Sequence, residues 1–145
     1  MSTDSTTDLP RIVVGVDGSP SSLKALDWAL GQARATGAAV EAVKAWDVPV
    51  SYGMEALVLP YEDLAKGARE TLTAEVEEQA AGFPWERLSQ RVVRGHPAAV
   101  LVELASGADL LVVGSHGHGA FASALLGSVG QQCVQHAPCP VVVVR

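Results

Sequence analysis

Short runs of β-branched residues alternate along this chain with longer stretches of helical periodicity, and that alternation restricts the fold more than any other feature. Residues 11–17 read RIVVGVD, 39–46 AVEAVKAW, 87–95 RLSQRVVRG, 109–114 DLLVVG and 140–144 PVVVV. A run as continuous as DLLVVG predicts a strand covered on both faces, since a sheet with one wet face would alternate polar and apolar residues. Between the first two runs, Ser19-Pro20 opens a helix with proline in its first turn. Leu23, Leu26, Leu30 and Ala33 then recur at helical spacing until Gly37 stops the run. An acid-rich helix follows over 61–81, with Leu64, Ala68, Leu72 and Val76 along one stripe. A shorter helix over 96–105 turns Ala98, Leu101, Val102 and Ala105 inward. The last helix begins at Ser128, where Ser128 and Gln131 fit a capping box; it buries Cys133 with Val129, Val134 and Ala137, and closes at Pro138. Five strands alternating with four helices predict an α/β fold, a single doubly wound parallel sheet with helices on both faces.

Length and charge narrow the function. The 145 residues suit one domain, with 10–145 as its folded part and 1–9 as a polar, disordered tail. A formal net charge of −6, with eight of the ten Lys and Arg scattered before Arg94, leaves no basic face for nucleic acid. The opening MSTDSTTDLP has neither a basic nor an apolar leader segment, and no apolar run is long enough to span a membrane. With only Cys133 and Cys139 as thiols, the expected compartment is the cytoplasm.

Directly after the fourth strand comes GSHGHGAFASALLGSVG, residues 114–130, with five glycines and no Asp, Glu, Lys or Arg. In a doubly wound sheet, ligands collect beyond the carboxyl ends of the strands where strand order reverses. If the first strand is central, this stretch faces the loop DGSPSS that follows it, which is led by Asp17. Glycine lets the main chain approach a ligand closely, and successive amides can converge on an anion. A second set of amides belongs to the start of the last helix, at Gly127, Ser128 and Val129. Since 110–144 carries no charged side chain but histidine, a polyphosphate held there calls for Mg²⁺, with Asp17 as the metal's protein ligand. Chemistry at such a site is weak, because phosphoryl transfer relies on positioned cations, and no catalytic residue is assigned. No GxxxxGK[ST], GxGxxG or GxSxG motif is present. His116 and His118, on alternate loop residues, make poor metal ligands. Cys133, His136 and Cys139 have ligand-like spacing but read better as core, helix-end and turn residues.

Gly114-x-x-Gly117, nine residues and then Gly127-Ser128 resembles the ATP-binding pattern of the universal stress proteins, and IVVGVDGS and HAPCPVVVVR resemble their opening and closing segments. The likeness covers residues 10–145. It implies a UspA-like sheet of order 3-2-1-4-5, of the adenine-nucleotide alpha-hydrolase type, with ATP at the switch point. Carried over by position, Gly15 and Val16 form part of the adenine wall, with Ala45 at the end of strand two and Asp17 near the nucleotide. Gly114, His116 and Gly117 line the ribose and first phosphates, while Gly127, Ser128, Val129 and Gly130 hold the rest. Gly130 departs from the pattern, which often has a hydroxyl residue there, so only its amide is offered. The resemblance also implies a homodimer through the last strand, 140–145, and a nucleotide-dependent stress-response or regulatory role. Two other readings stay open: slow ATP hydrolysis, or nucleotide-independent protein interaction through the loop 47–60, which carries Tyr52, Met54, Leu57 and Leu59.

Overall fold

The computed structural model describes residues 9–47, 60–117 and 126–145. Residues 1–8 of the tail, His118, and residues 48–59 of the loop with Tyr52, Met54, Leu57 and Leu59 therefore lie outside the described residues. In chain order the elements are β1 (Arg11–Gly15), α1 (Pro20–Thr36), β2 (Ala39–Trp46), α2 (Tyr61–Gln79), β3 (Leu88–Arg94), α3 (Pro97–Leu104), β4 (Leu110–Gly114), α4 (Ser128–His136) and β5 (Val141–Val144), with a short 3₁₀ turn, Trp85–Arg87, before β3. All strands are parallel, in the order β3-β2-β1-β4-β5. The expected doubly wound sheet is what the chain forms.

Successive side chains of a strand point to opposite faces, and both faces of this sheet are covered. Ile12, Val14 and Val16 pack with Leu26, Leu30, Leu72 and Val76 on the side of α1 and α2. Val13, Val43, Leu111 and Val113 pack with Val100, Leu101 and Cys133 on the side of α3 and α4. This is why β1 and β4 read as unbroken apolar runs. The outer strand β3 buries no residue completely and is correspondingly polar.

The ends of α1 follow from its sequence. Ser19 Oγ accepts the amide of Ser22 at 3.2 Å while Pro20 occupies the first turn, where no N–H is needed. Gly37 stops the helix in the left-handed conformation, φ 78°, donating its N–H to the Ala33 carbonyl. Elsewhere three expectations are corrected. In α3, Val100 is buried and Val102 only half-buried, because the helix presents the Ala98–Leu101 side to the sheet. In α4, Val134 is exposed, since it lies about a hundred degrees around the helix from the buried Cys133. The capping box does not form. Ser128 is already the first helical residue, Gly127 is the cap, and Gln131 Nε2 reaches the Leu126 carbonyl at 3.3 Å instead. Cys133 is sealed in the core, and burial pushes its thiol up to about 11. Among the described residues no helix is long and apolar enough to cross a membrane.

Candidate functional site

The chain leaves β1 toward β2 on one side and later enters β4 on the other, so strand order reverses between β1 and β4. A cleft opens there beyond the strand ends, with about 590 Å³ of free volume including its open mouth. It is built from two unlike halves.

One half is apolar and belongs to the top of the α3/α4 layer. Val43 and Ala45 are two apart on β2 and share a face; Leu101 of α3 and Val113 of β4 complete the floor, with Pro97 at the rim. Ala45 was expected from the sequence, whereas Val43, Pro97, Leu101 and Val113 were not. A periodicity argument places Val43, Leu101 and Val113 in the core, and the packing of α3 against β1 and β2 brings them to the cleft.

The other half is polar and made from the two loops that face each other. Asp17 Oδ1 accepts the Ser19 amide at 2.8 Å, and the Asp17 amide donates to Ser22 Oγ at 3.1 Å. Asp17 therefore turns the chain into α1 and also presents its carboxylate to the cleft. A Cβ placed on Gly117 would stand 2.9 Å from Asp17 Oδ2, which puts the two loops in contact as the strand order requires. Ser19 Oγ donates to the His116 carbonyl at 3.4 Å, and the Ser21 and Ser115 hydroxyls lie 3.4 Å apart. Ser115 Oγ in turn sits 3.1 Å from His116 Nδ1. Ser19, Ser22 and Ser115 are buried, an unusual place for serine unless the hydroxyl is bonded. The sequence marked Ser19 as the opening of α1 and left Ser22 and Ser115 as residues of the two loops.

The start of α4 closes the polar half. Its N-terminal amides were expected to include that of Gly127, but Gly127 N donates to the Ser115 carbonyl at 2.6 Å and is spent. The first intrahelical bond runs from Gln131 N to Gly127 O, so the amides of Ser128, Val129 and Gly130 have no acceptor among the described residues. Gly127, Val129 and Gly130 line the cleft; Ser128 is exposed at the helix start and does not line it. A Cβ on Gly130 would meet Leu126 Cδ1 at 2.6 Å, so the side-chain space at this position is already taken.

Gly15, Val16, Asp17, Gly114, His116 and Gly117 all border the cleft. Two of these glycines nevertheless have their reason in packing. A Cβ on Gly114 would lie 2.6 Å from the Ser21 carbonyl carbon, and one on Gly15 would lie 2.8 Å from Leu101 Cδ1. The missing side chains let α1 and α3 close down on the strand ends. Among the described lining residues Asp17 carries the one full charge, and none is Lys or Arg. No group of three or more His, Cys, Asp or Glu suited to a metal occurs among the described residues.

A sequence profile described as the universal stress protein family matches residues 9–145. A universal stress protein of Mycolicibacterium smegmatis is 37% identical over 142 residues, covering 92% of this chain and 45% of its own length. A universal stress protein of Mycobacterium tuberculosis is 36% identical over 138 residues with the same coverage. The chain thus spans about half the length of the curated relatives it matches. Among solved structures, a universal stress protein in complex with cAMP is 33% identical, with a TM-score of 0.72 and coverage of 94% of this chain and 97% of that one. A profile spanning nearly the whole chain, relatives above 30% identity and a closely similar solved fold agree: the chain belongs to the universal stress protein family.

Proposed function

We propose that this chain is a binding module for an adenine nucleotide, with the base on the apolar floor and the phosphates at the start of α4. The observation that carries this reading is the pairing, in one cleft, of the Val43–Ala45–Leu101 surface with the start of α4, where the amides of Val129 and Gly130 have no acceptor among the described residues. A planar base gains from burial against aliphatic side chains. An anion gains from helix-start amides and the helix dipole. The relative crystallised with cAMP supports the same assignment.

ATP with Mg²⁺ is the fuller form of the proposal. The cleft fits a metal that keeps most of its ligands from phosphate and water, since Asp17 brings one carboxylate and half of it is committed to the Ser19 amide. Asp17 Oδ2 lies where the two loops meet, 2.9 Å from the place of a Cβ on Gly117. Bound there, Mg²⁺ would offset the phosphate charge that no cationic side chain meets. The same lack of cations makes storage or sensing of the nucleotide, in a stress-response role, a better fit than rapid turnover.

Titration of ATP, AMP and cAMP with and without Mg²⁺ tests the assignment. The expected result is saturable binding of an adenine nucleotide, with Mg²⁺ strengthening ATP alone. Asp17→Asn keeps an acceptor for the Ser19 amide and should erase the Mg²⁺ effect while leaving the fold intact. Protein that binds no adenine nucleotide at millimolar concentration would refute the proposal.

A homodimer through β5 belongs to the same reading. Among the described residues Val141–Val144 is paired only to β4, is half-buried throughout and has no strand on its other edge, an edge natural sheets usually cover. Sedimentation equilibrium at micromolar concentration should give twice the 15.0 kDa chain mass. A monomer at every concentration would end this part of the reading.

A further inference from the structure

At the opposite end of the sheet, two arginines are gathered over one phenylalanine, with an exposed tryptophan two residues along the same turn. Phe83 is buried, and the Arg34 and Arg87 guanidinium carbons lie 5.6 and 5.0 Å from its ring centroid. Arg34 comes from the last turn of α1 and Arg87 from the turn before β3, so both stand at the amino ends of the strands, away from the cleft. Among the described residues neither makes an ion pair, although five ion pairs tie Arg11, Lys44, Lys66, Arg91 and Arg94 to acids. Arg87 Nε is buried with no acceptor. Glu86, exposed between Trp85 and Arg87, pairs with neither arginine. Trp85 is 80% exposed.

The backbone presents this group rigidly. Gly82 turns the chain in the left-handed conformation, φ 82°, and Phe83 N bonds to the Ala80 carbonyl at 2.9 Å. Pro84 fixes the next residue, and Arg87 N returns to the Pro84 carbonyl at 3.0 Å. A single exposed apolar side chain is ordinary on a protein surface. An exposed tryptophan on the hydrogen-bonded turn that also carries Arg87, where two stacked guanidiniums have no ion-pair partner among the described residues, is less so. Tryptophan and arginine are the residues that most often anchor protein contacts, and a rigid turn costs little entropy to dock. A guanidinium stacked on a ring keeps its N–H edge available for a carboxylate.

We propose that the Arg34–Phe83–Trp85–Arg87 surface docks a carboxylate-bearing peptide segment of a partner protein. An acidic pair engages the guanidinium edges, and an apolar residue beside it lies on the Trp85 ring. The overall charge of −6 does not oppose this, because charges farther than a Debye length of about 8 Å are screened at physiological salt. Two cations without a basic surround are too few to track a nucleic-acid backbone.

Selection from a random dodecapeptide library displayed on phage tests the proposal, with the Arg34→Gln, Arg87→Gln double variant as counter-target. Enriched peptides should carry at least two acidic residues next to an aliphatic or aromatic one. A synthesised winner should bind the double variant at least tenfold more weakly, and should weaken as salt is raised. Trp85→Ala, at a position that contributes little to the core, should weaken it likewise while leaving nucleotide binding unchanged. Peptides without acidic residues, equal binding to the double variant, absence of any enriched sequence, or tighter binding of a thymidylate dodecamer at this surface would each overturn the proposal. If the double variant melts earlier yet captures the same peptides, the arginines only cover Phe83 and the proposal fails.

Discussion

Gly114→Val is expected to lower the melting temperature by roughly 6–12 °C, corresponding to about 3 kcal/mol. The Cβ would stand 2.6 Å from the Ser21 carbonyl carbon and 2.8 Å from its oxygen. Those are backbone atoms in the first turn of α1, and they cannot swing aside as a side-chain tip can. Relief requires α1 to lift from β4, which separates Leu26 and Leu30 from the core they complete. Because the Cβ itself collides, Gly114→Ala should cost nearly as much as valine. The same helix supplies the control. Gly31 has nothing within 4 Å of its Cβ position and lies mid-helix, so Gly31→Ala should raise stability by about 0.5–1 kcal/mol. Thermal melts followed by circular dichroism separate the cases. A neutral Gly114→Ala would mean that the close approach of α1 and β4 is not what this glycine serves.

That contrast also marks how far the sequence could be read. The fold was legible because each signal in it is local. Unbroken apolar runs need two covered faces, and Ser19-Pro20 and Gly37 bound α1 by capping chemistry alone. Strand order was not local, and it came from the resemblance rather than from periodicity. The site was legible where one residue type has one strong reason to be present. Gly117 meets Asp17 across the switch point as expected from the two loops. Where glycine has two possible reasons the sequence names only one: Gly15 and Gly114 border the cleft, and they also let α3 and α1 pack close to the strand ends.

The capping box failed for a related cause. A cap is defined by backbone angles, and Gly127, at φ −70° and ψ 167°, takes the position one residue earlier than the Ser128 hydroxyl would need. The buried serines could not be found at all from the sequence. The Ser21–Ser115 contact joins residues 94 positions apart, so the polarity of each is explained only once both loops are in place. The Arg34–Phe83–Arg87 group is tertiary in the same sense, since it joins a helix end to a turn some fifty residues later.

Gly127→Val should reduce affinity for adenine nucleotides about 100-fold, or about 2.7 kcal/mol, while leaving the melting temperature within a few degrees of the parent. The backbone at Gly127 is extended and ordinary for any residue, so no conformational strain is added. Its Cβ would lie 3.3 Å from the Ser115 carbonyl oxygen and 3.4 Å from His116 Cα, tight contacts that a few tenths of an ångström relieve. The valine methyls would then stand over the amides of Ser128 and Val129, where the phosphates are proposed to sit. Removing access to those amides costs much here because no cationic side chain among the described lining residues can compensate. Adenosine provides the internal check: it needs the Val43–Ala45–Leu101 floor but not the helix start, so its affinity should change less than threefold. Isothermal titration of ATP, AMP and adenosine against both proteins decides the matter. Equal losses for all three would mean that valine has closed the whole cleft, and unchanged binding of AMP would mean that the phosphate lies somewhere other than the start of α4.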